Sequence, residues 1–117
     1  MSGQAKDSAE SDDAIAFRRM LEGSTPTVAE VALAIRASVL GSLPGAIEWF
    51  DPGNRLLAIG TGRSMRDLRF AVIPHSTHVN LQLVDGVDLP NPDGRIEGTG
   101  KRARHVKARS LDRYIQP

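Results

Sequence analysis

Apolar residues repeat with a helical period in the first half of this chain and with a strand period in the second half. Spacings of three and four between residues 14 and 21 predict a short first helix. Asp12 or Asp13 suits its N-cap, and Gly23 suits its C-terminal stop. Residues 1–11 are small and polar and cannot bury enough apolar surface to order themselves, so they are predicted to form a disordered tail.

The second predicted helix has the most regular apolar pattern in the chain. Thr27 and Glu30 have the spacing of a capping box at its start, and Gly41 followed by Pro44-Gly45 marks its end. Arg36 lies off the apolar stripe. The stripe itself consists of Val28, Val31, Ala32, Ile35 and Val39. A continuous stripe needs an apolar surface to cover, and the face of a sheet is the expected partner.

From residue 55 onward the pattern changes to short strands, predicted at 56–60, 68–74, 77–84 and 104–109. The third strand alternates between two sets of residues, Val79, Leu81 and Leu83 on one face and His78, Asn80, Gln82 and Val84 on the other. The last strand separates Arg104, Val106 and Ala108 from His105, Lys107 and Arg109 in the same way. These elements predict an α+β fold, with two N-terminal helices packed on one face of a small antiparallel β-sheet in a single domain over residues 12–117.

The face of the predicted sheet that points away from the helices is a candidate binding surface. If the apolar residues of the third and last strands face the helices, the opposite face gathers amide and basic side chains: His78, Asn80, Gln82, His105, Lys107 and Arg109. Such donors suit an anionic ligand. The same alternation is also expected with no ligand, because antiparallel sheets commonly keep one face in water.

Composition excludes several classes of protein. The chain has 117 residues, of which 40% are apolar and 25% are charged, as in an ordinary globular domain. It has no cysteine, which excludes disulfides, thiolate zinc sites, cysteine-bound iron–sulfur clusters and a cysteine nucleophile. No apolar run approaches the roughly 20 residues of a membrane span, and the polar, acidic N-terminus does not resemble a signal peptide. A cytoplasmic protein is therefore expected. The sequence carries no signal for an oligomeric state.

The formal net charge of +1 hides a separation of the two signs along the chain. Between residues 95 and 113, seven basic residues stand against two acidic ones, a local excess of +5. An excess of this size raises the potential over one patch, so an anionic small molecule or an acidic protein is the expected partner. Nucleic acid is disfavoured, because aromatic residues are 4% of the chain and none is interleaved with the basic run before Tyr114.

A glycine-flanked basic loop, Glu97-Gly98-Thr99-Gly100-Lys101-Arg102, lies at the start of this basic run. It is not a Walker A loop, because Arg95 stands where that motif needs a glycine and Arg102 stands where it needs Ser or Thr. Gly98 and Gly100 could let the backbone approach an anion closely. Alternatively, they could supply positive φ angles in a simple connection.

Candidate catalytic and metal-binding groups are sparse. No serine lies in a nucleophile motif, and Glu48 and Asp51 are two carboxylates with nothing else to mark them as a catalytic pair. His75 and His78 bracket a turn, but two imidazoles make an incomplete metal site. An N-terminal acidic cluster could hold a hard cation only loosely, and consists of Asp7, Glu10, Asp12 and Asp13. The sequence thus indicates a protein that is not an enzyme and has no cofactor.

The segment from Glu97 to Ser110 reads EGTGKRARHVKARS and closely resembles a signature of the YdhG-like family of small bacterial domains of unknown function. Looser similarity upstream, at Leu43-Pro44-Gly45, Trp49 and His78-Val79-Asn80-Leu81, extends the resemblance over residues 27–113. It implies helices packed on an antiparallel sheet. One departure is the segment after Trp49, which reads Phe-Asp-Pro-Gly in place of the family's Gly-Met-Pro-Thr-Tyr. Some relatives are described as frataxin-like iron chaperones, which implies an iron-binding role through surface carboxylates as an alternative.

Three hypotheses follow from the sequence. The leading one is a non-enzymatic module that binds an anion through Gly98, Gly100, Lys101, Arg102, Arg104, His105, Lys107 and Arg109, with His78 and Asn80 beside them. The second is the iron chaperone. The third assigns the basic motif a structural role, in which ion pairs such as Glu97 with Arg102 or Arg104 join the loop to the sheet.

Overall fold

The helices begin at residues different from those predicted. The computed structural model describes residues 10–88, 91 and 94–110. Helix α1 covers Asp12–Leu21 and is capped by Ser11, whose hydroxyl accepts a hydrogen bond from the Ala14 amide at 3.0 Å. Asp12 and Asp13 therefore lie in the first turn and are not the cap. Their negative charges favour the positive end of the helix dipole there.

Helix α2 covers Pro26–Ser42, so it starts before the predicted capping box at Thr27 and ends between Gly41 and Pro44, where its stop is predicted. Thr25 is its N-cap and accepts a hydrogen bond from the Val28 amide at 3.1 Å. The shift has a simple cause, because a proline suits the first helical position, where no amide hydrogen is needed. Within the described ranges, neither helix has the length and apolar character of a membrane span.

Six antiparallel strands follow the helices, which confirms the predicted α+β fold: β1 Ile47–Asp51, β2 Leu56–Gly60, β3 Leu68–Pro74, β4 Val79–Leu83, β5 Ile96–Glu97 and β6 Arg104–Ala108. The order across the sheet is β1-β2-β3-β4-β6-β5, so β6 lies between β4 and β5. The predicted strands at 77–84 and 104–109 are both slightly too long. The predicted strands at 56–60 and 68–74 match β2 and β3.

Two strands, β1 and β5, were not predicted. Trp49 and Phe50 lie in β1, and Phe50 packs on Phe17 of α1 with ring centroids 6.1 Å apart. Strand β5 has two residues and is held at its start by Asn91. The Asn91 carboxamide donates to the Ile96 carbonyl at 2.8 Å and accepts from the Ile96 amide at 3.0 Å. The Asn91 side chain thus makes hydrogen bonds with the Ile96 backbone that a neighbouring strand would otherwise make.

Both helices lie on one face of the sheet and form the core with it. The largest fully buried side chains come from both layers: Phe17, Val31, Ile35, Leu57, Ile59, Val72 and Val79. The predicted alternation in β4 is confirmed, because Val79, Leu81 and Leu83 are buried while Asn80 and Gln82 are half-buried. Pairing of Leu81 with Val106, and of Val79 with Ala108, places the apolar residues of β6 on the same helix-covered face.

Arg36 lies off the apolar stripe of α2 and is nevertheless buried, since only 6% of this residue is exposed. Its Nε and Nη2 atoms each donate to Glu48 of β1 at 2.8 Å, and its Nη1 donates to Glu10 at 3.3 Å. The hydrogen bonding of Arg36 to the Glu48 carboxylate, which accepts, is the main cause that raises the pKa of Arg36. The Ser11 hydroxyl also donates to Glu48, at 3.3 Å. Glu10 and Ser11 are thus part of the fold, so the predicted tail is too long at its C-terminal end; residues 1–9 lie outside the described residues.

Replacing Arg36 by alanine is expected to lower the free energy of unfolding by about 3–5 kcal/mol, because Glu48 would keep a largely buried carboxylate without its partner. Urea denaturation measures this loss. The exposed Arg19, replaced by alanine, is the control and should change stability by less than about 0.5 kcal/mol. A double variant, Arg36→Leu with Glu48→Leu, should recover part of the loss because no charge is then left buried. An equal loss in the single and double variants would contradict this account.

Candidate functional site

The sheet face that the helices leave uncovered, here called the open face, carries the predicted amide and basic residues. Asn80 lies between Ile73 of β3 and Lys107 of β6. One row along the strands, Gln82 lies beside His105, and His105 lies beside Glu97 of β5. The register therefore confirms that His105 and Lys107 share a face with Asn80 and Gln82. Arg109 follows β6 directly and is exposed.

The connection between β5 and β6 forms one wall of a groove on this face. The groove has a volume of about 400 Å³. The sheet contributes Ile73, Asn80, Gln82, Arg104 and His105 to it, and the connection contributes Gly98, Thr99, Gly100 and Ala103. We call it the loop groove. Gly98 has a φ of 124°, which L side chains rarely adopt, so the predicted conformational role applies to Gly98 but not to Gly100, which has no positive φ.

Two arginines of the predicted binding set hold the loop in place. Arg102 binds Asp85 after β4, with Nε and Nη2 both 2.8 Å from the same carboxylate oxygen. Arg104 donates to the carbonyl oxygens of Gly100 and Ala103, the second at 2.9 Å. Its Cβ lies so near Gly86 that a Cβ added to Gly86 would approach it to 2.6 Å. Both guanidinium groups therefore make internal contacts that shape the wall of the loop groove.

Glu97 pairs with a different residue from those suggested by the sequence. Its carboxylate lies 3.8 Å from His105 Nε2, and Arg102 and Arg104 make the contacts described above. An ion pair does join the loop to the rest of the domain, but it forms between Arg102 and Asp85, which follows β4. Lys101 is exposed at the tip of the connection.

His75 and His78, on the turn between β3 and β4, stack with ring centroids 4.7 Å apart and an interplanar angle of 24°. Asn80 Nδ2 lies 3.4 Å from His75 Nε2. Burial is the main cause that lowers the pKa of His78, and the neighbouring charges of His75, Lys107, Arg109 and His105 lower it further. The basic side chains of the turn and of β6 therefore act on one another. The open-face set predicted from the sequence does not include His75, although its position across the turn from His78 indicates that the two rings lie close together.

The other candidate groups are not brought together. Three or more His, Asp or Glu side chains placed to hold one metal ion occur nowhere in the described residues. Glu48 faces the helices and binds Arg36, whereas Asp51 accepts from the Asn54 amide at 3.1 Å, so these carboxylates do not form a pair. Of the N-terminal acidic cluster, Asp7 lies outside the described residues. Asp13 accepts from the Phe50 amide at 2.9 Å.

A larger concavity, of about 540 Å³, lies where the α1–α2 connection meets the end of β3. Its lining includes Thr25, Asn54, Arg55 and His75. Arg55 is the one permanently charged residue among its lining residues. The loop groove is smaller, but it continues into the row of basic side chains on the open face, and it is therefore the stronger candidate.

Comparison of the chain with protein-family models, with curated proteins and with solved structures finds no match. The resemblance to the YdhG-like family stays a prediction from the Glu97–Ser110 motif.

The lowered pKa of His78 predicts how stability depends on pH. Between its folded-state pKa and its usual value of 6.5, the unfolded chain binds more protons, so this contribution to stability is complete above 6.5 and is lost as pH falls through the folded-state pKa. Urea denaturation should show the free energy of unfolding decline between about pH 7.5 and about pH 5. This pH range lies above the range in which carboxylates titrate. His78→Gln should flatten the decline. The same pH slope in variant and parent would contradict the assignment.

Proposed function

We propose that this chain is a non-enzymatic binding module that holds an anionic ligand on its open face, with the loop groove as one end of the site. The observation that carries this proposal is the register of β4 and β6. It sets His105 and Lys107 beside the carboxamides of Gln82 and Asn80, with Arg109 at the end of the same strand. Cationic and neutral donors therefore stand side by side on one surface.

The electrostatics of this surface favour an anion over a cation. The groups that act on His78 are all basic, and Glu97 is the carboxylate that faces the row, at its far edge beside His105. Neighbouring like charges raise the local potential, and a charged donor makes a stronger hydrogen bond to an oxyanion than a neutral donor does. The carboxamides of Asn80 and Gln82 would then orient the ligand.

Within the basic motif, the structure supports two different roles. Lys107, Arg109 and His105 lie on the open face and would contact the ligand. Arg102 and Arg104 would act through the loop, because their contacts with Asp85 and with the loop carbonyls hold the groove wall in place. Lys101, exposed at the tip, would add charge at the rim.

Removing the Lys107 charge is expected to weaken sulfate binding about tenfold, since a hydrogen bond to a charged group contributes about 1.5–3 kcal/mol before screening. Lys107→Met keeps the apolar stem and removes the ammonium. Binding is followed by thermal shift and calorimetry at matched ionic strength. The control is Arg19→Met, on α1 and away from the open face. Equal affinity of parent and Lys107→Met would overturn the proposal.

The same assay discriminates the other hypotheses. Replacing Lys101 and Arg102 together by alanine should lower stability by about 1 kcal/mol or less, because the Asp85–Arg102 pair is exposed. If this double variant remains folded but binds sulfate more weakly than the parent, the loop contributes to the site. Stabilisation by ferrous or ferric iron, with none by sulfate or phosphate, would replace this proposal by the iron-binding alternative. Stabilisation by an acidic peptide, with none by small anions, would indicate a protein partner.

A further inference from the structure

The stacked histidines at the end of the open face lie where the proposed anion would bind. Resting on the function proposed above, we infer that the ligand is a multivalent oxyanion and that it binds together with a proton taken up by the His75–His78 pair. The geometry behind this inference is the stack of the two rings, 4.7 Å apart, beside the basic end of β6.

The surroundings of the pair disfavour its protonated form in the absence of a ligand. The turn contributes the two imidazoles, and β6 with the residue after it contributes Lys107, Arg109 and His105, which act on His78. Arg55, between β1 and β2, lines the same concavity as His75. The hydroxyl of Thr77, 3.3 Å from His78 Nδ1, is a neutral neighbour. A second positive charge on rings this close is repelled by the first and by the two permanent cations. The pKa of His78 is therefore lowered in the absence of a ligand.

An oxyanion placed against Lys107 and Arg109 reverses the sign of this interaction. A negative charge within a few ångströms favours the imidazolium form over the neutral imidazole. By linkage, a group that gains a proton on binding makes affinity rise as pH falls through its bound-state pKa. A single negative charge is already met by the two permanent cations. A dianion attracts the protonated imidazole more strongly than a monoanion does, and proton uptake should therefore grow with ligand charge.

Asn80 is placed to accommodate both protonation states of His75. With neutral His75, its Nδ2 faces Nε2 at 3.4 Å, and its Oδ1 is buried without a hydrogen-bond partner among the described residues. A protonated His75 presents an N–H at Nε2. A turn of the carboxamide then lets Oδ1 accept that hydrogen, and the unpaired acceptor gains a partner.

The experiment is calorimetric titration of the full chain with sulfate, which stays a dianion throughout the range in which histidine titrates. Repeating the titration in two buffers of different ionisation enthalpy counts the protons taken up. We expect uptake approaching about one proton near pH 6.5, and affinity that rises up to about tenfold for each pH unit lowered towards about pH 5.5. Methyl sulfate, a monoanion of similar shape, should bind with less uptake.

Two variants locate the proton. His75→Gln removes an exposed ring and should leave the fold intact, and His78→Gln removes its partner. Each should still bind sulfate, with reduced proton uptake and a flatter dependence on pH. Thermal denaturation of each variant checks that it is folded.

The outcomes separate this inference from the proposed function. Sulfate binding that is independent of pH, with no proton uptake, overturns the inference and leaves the binding module standing. Undiminished uptake in both variants assigns the proton to other groups, such as His105 and Glu97, and also overturns it. If the parent binds neither sulfate nor methyl sulfate at any pH, the proposed function fails as well.

Discussion

The open face depends on one alignment, the pairing of β4 with β6. Val79 lies opposite Ala108 and Leu81 opposite Val106, and burial of these side chains under the helices sets the register. Because the side-chain period of a strand is two, a slip of one residue would exchange the two faces of β6. Packing of the core therefore determines the positions of His105 and Lys107. The same hydrophobic burial that stabilises the domain places these basic side chains on the open face.

Strict alternation was enough to predict β4 and β6, including which side chains share the open face. Strand β1 gave no such signal, since its inward-facing residues are Phe50 and a carboxylate, Glu48, that binds Arg36. The burial of Arg36 could not be predicted either. Its partner is twelve residues away in sequence, and only the folded chain brings the two side chains together. Local pattern predicts apolar burial, but it does not predict a buried pair of charges.

The candidate site also combines features that the local pattern predicts with features that depend on tertiary contacts. The sequence predicted a basic, amide-bearing surface. It could not predict which cations face outward and which are used within the fold. The contact of Arg102 with Asp85 spans seventeen residues. The place of His75 beside His78 depends on the turn geometry between β3 and β4. Tertiary contacts decide which of the seven basic residues between 95 and 113 face outward. The local charge alone therefore overestimates how many of them could contact a ligand.

The wall of the loop groove is joined to the sheet through its shortest strand. Strand β5 contributes two residues, pairs on one side only, and takes its other anchor from the Asn91 carboxamide. Segments with so few backbone partners open locally at a small fraction of the global unfolding free energy. Amide hydrogens along this wall should therefore exchange with solvent long before those of β3 and β4. This wall can therefore open locally while the core stays closed.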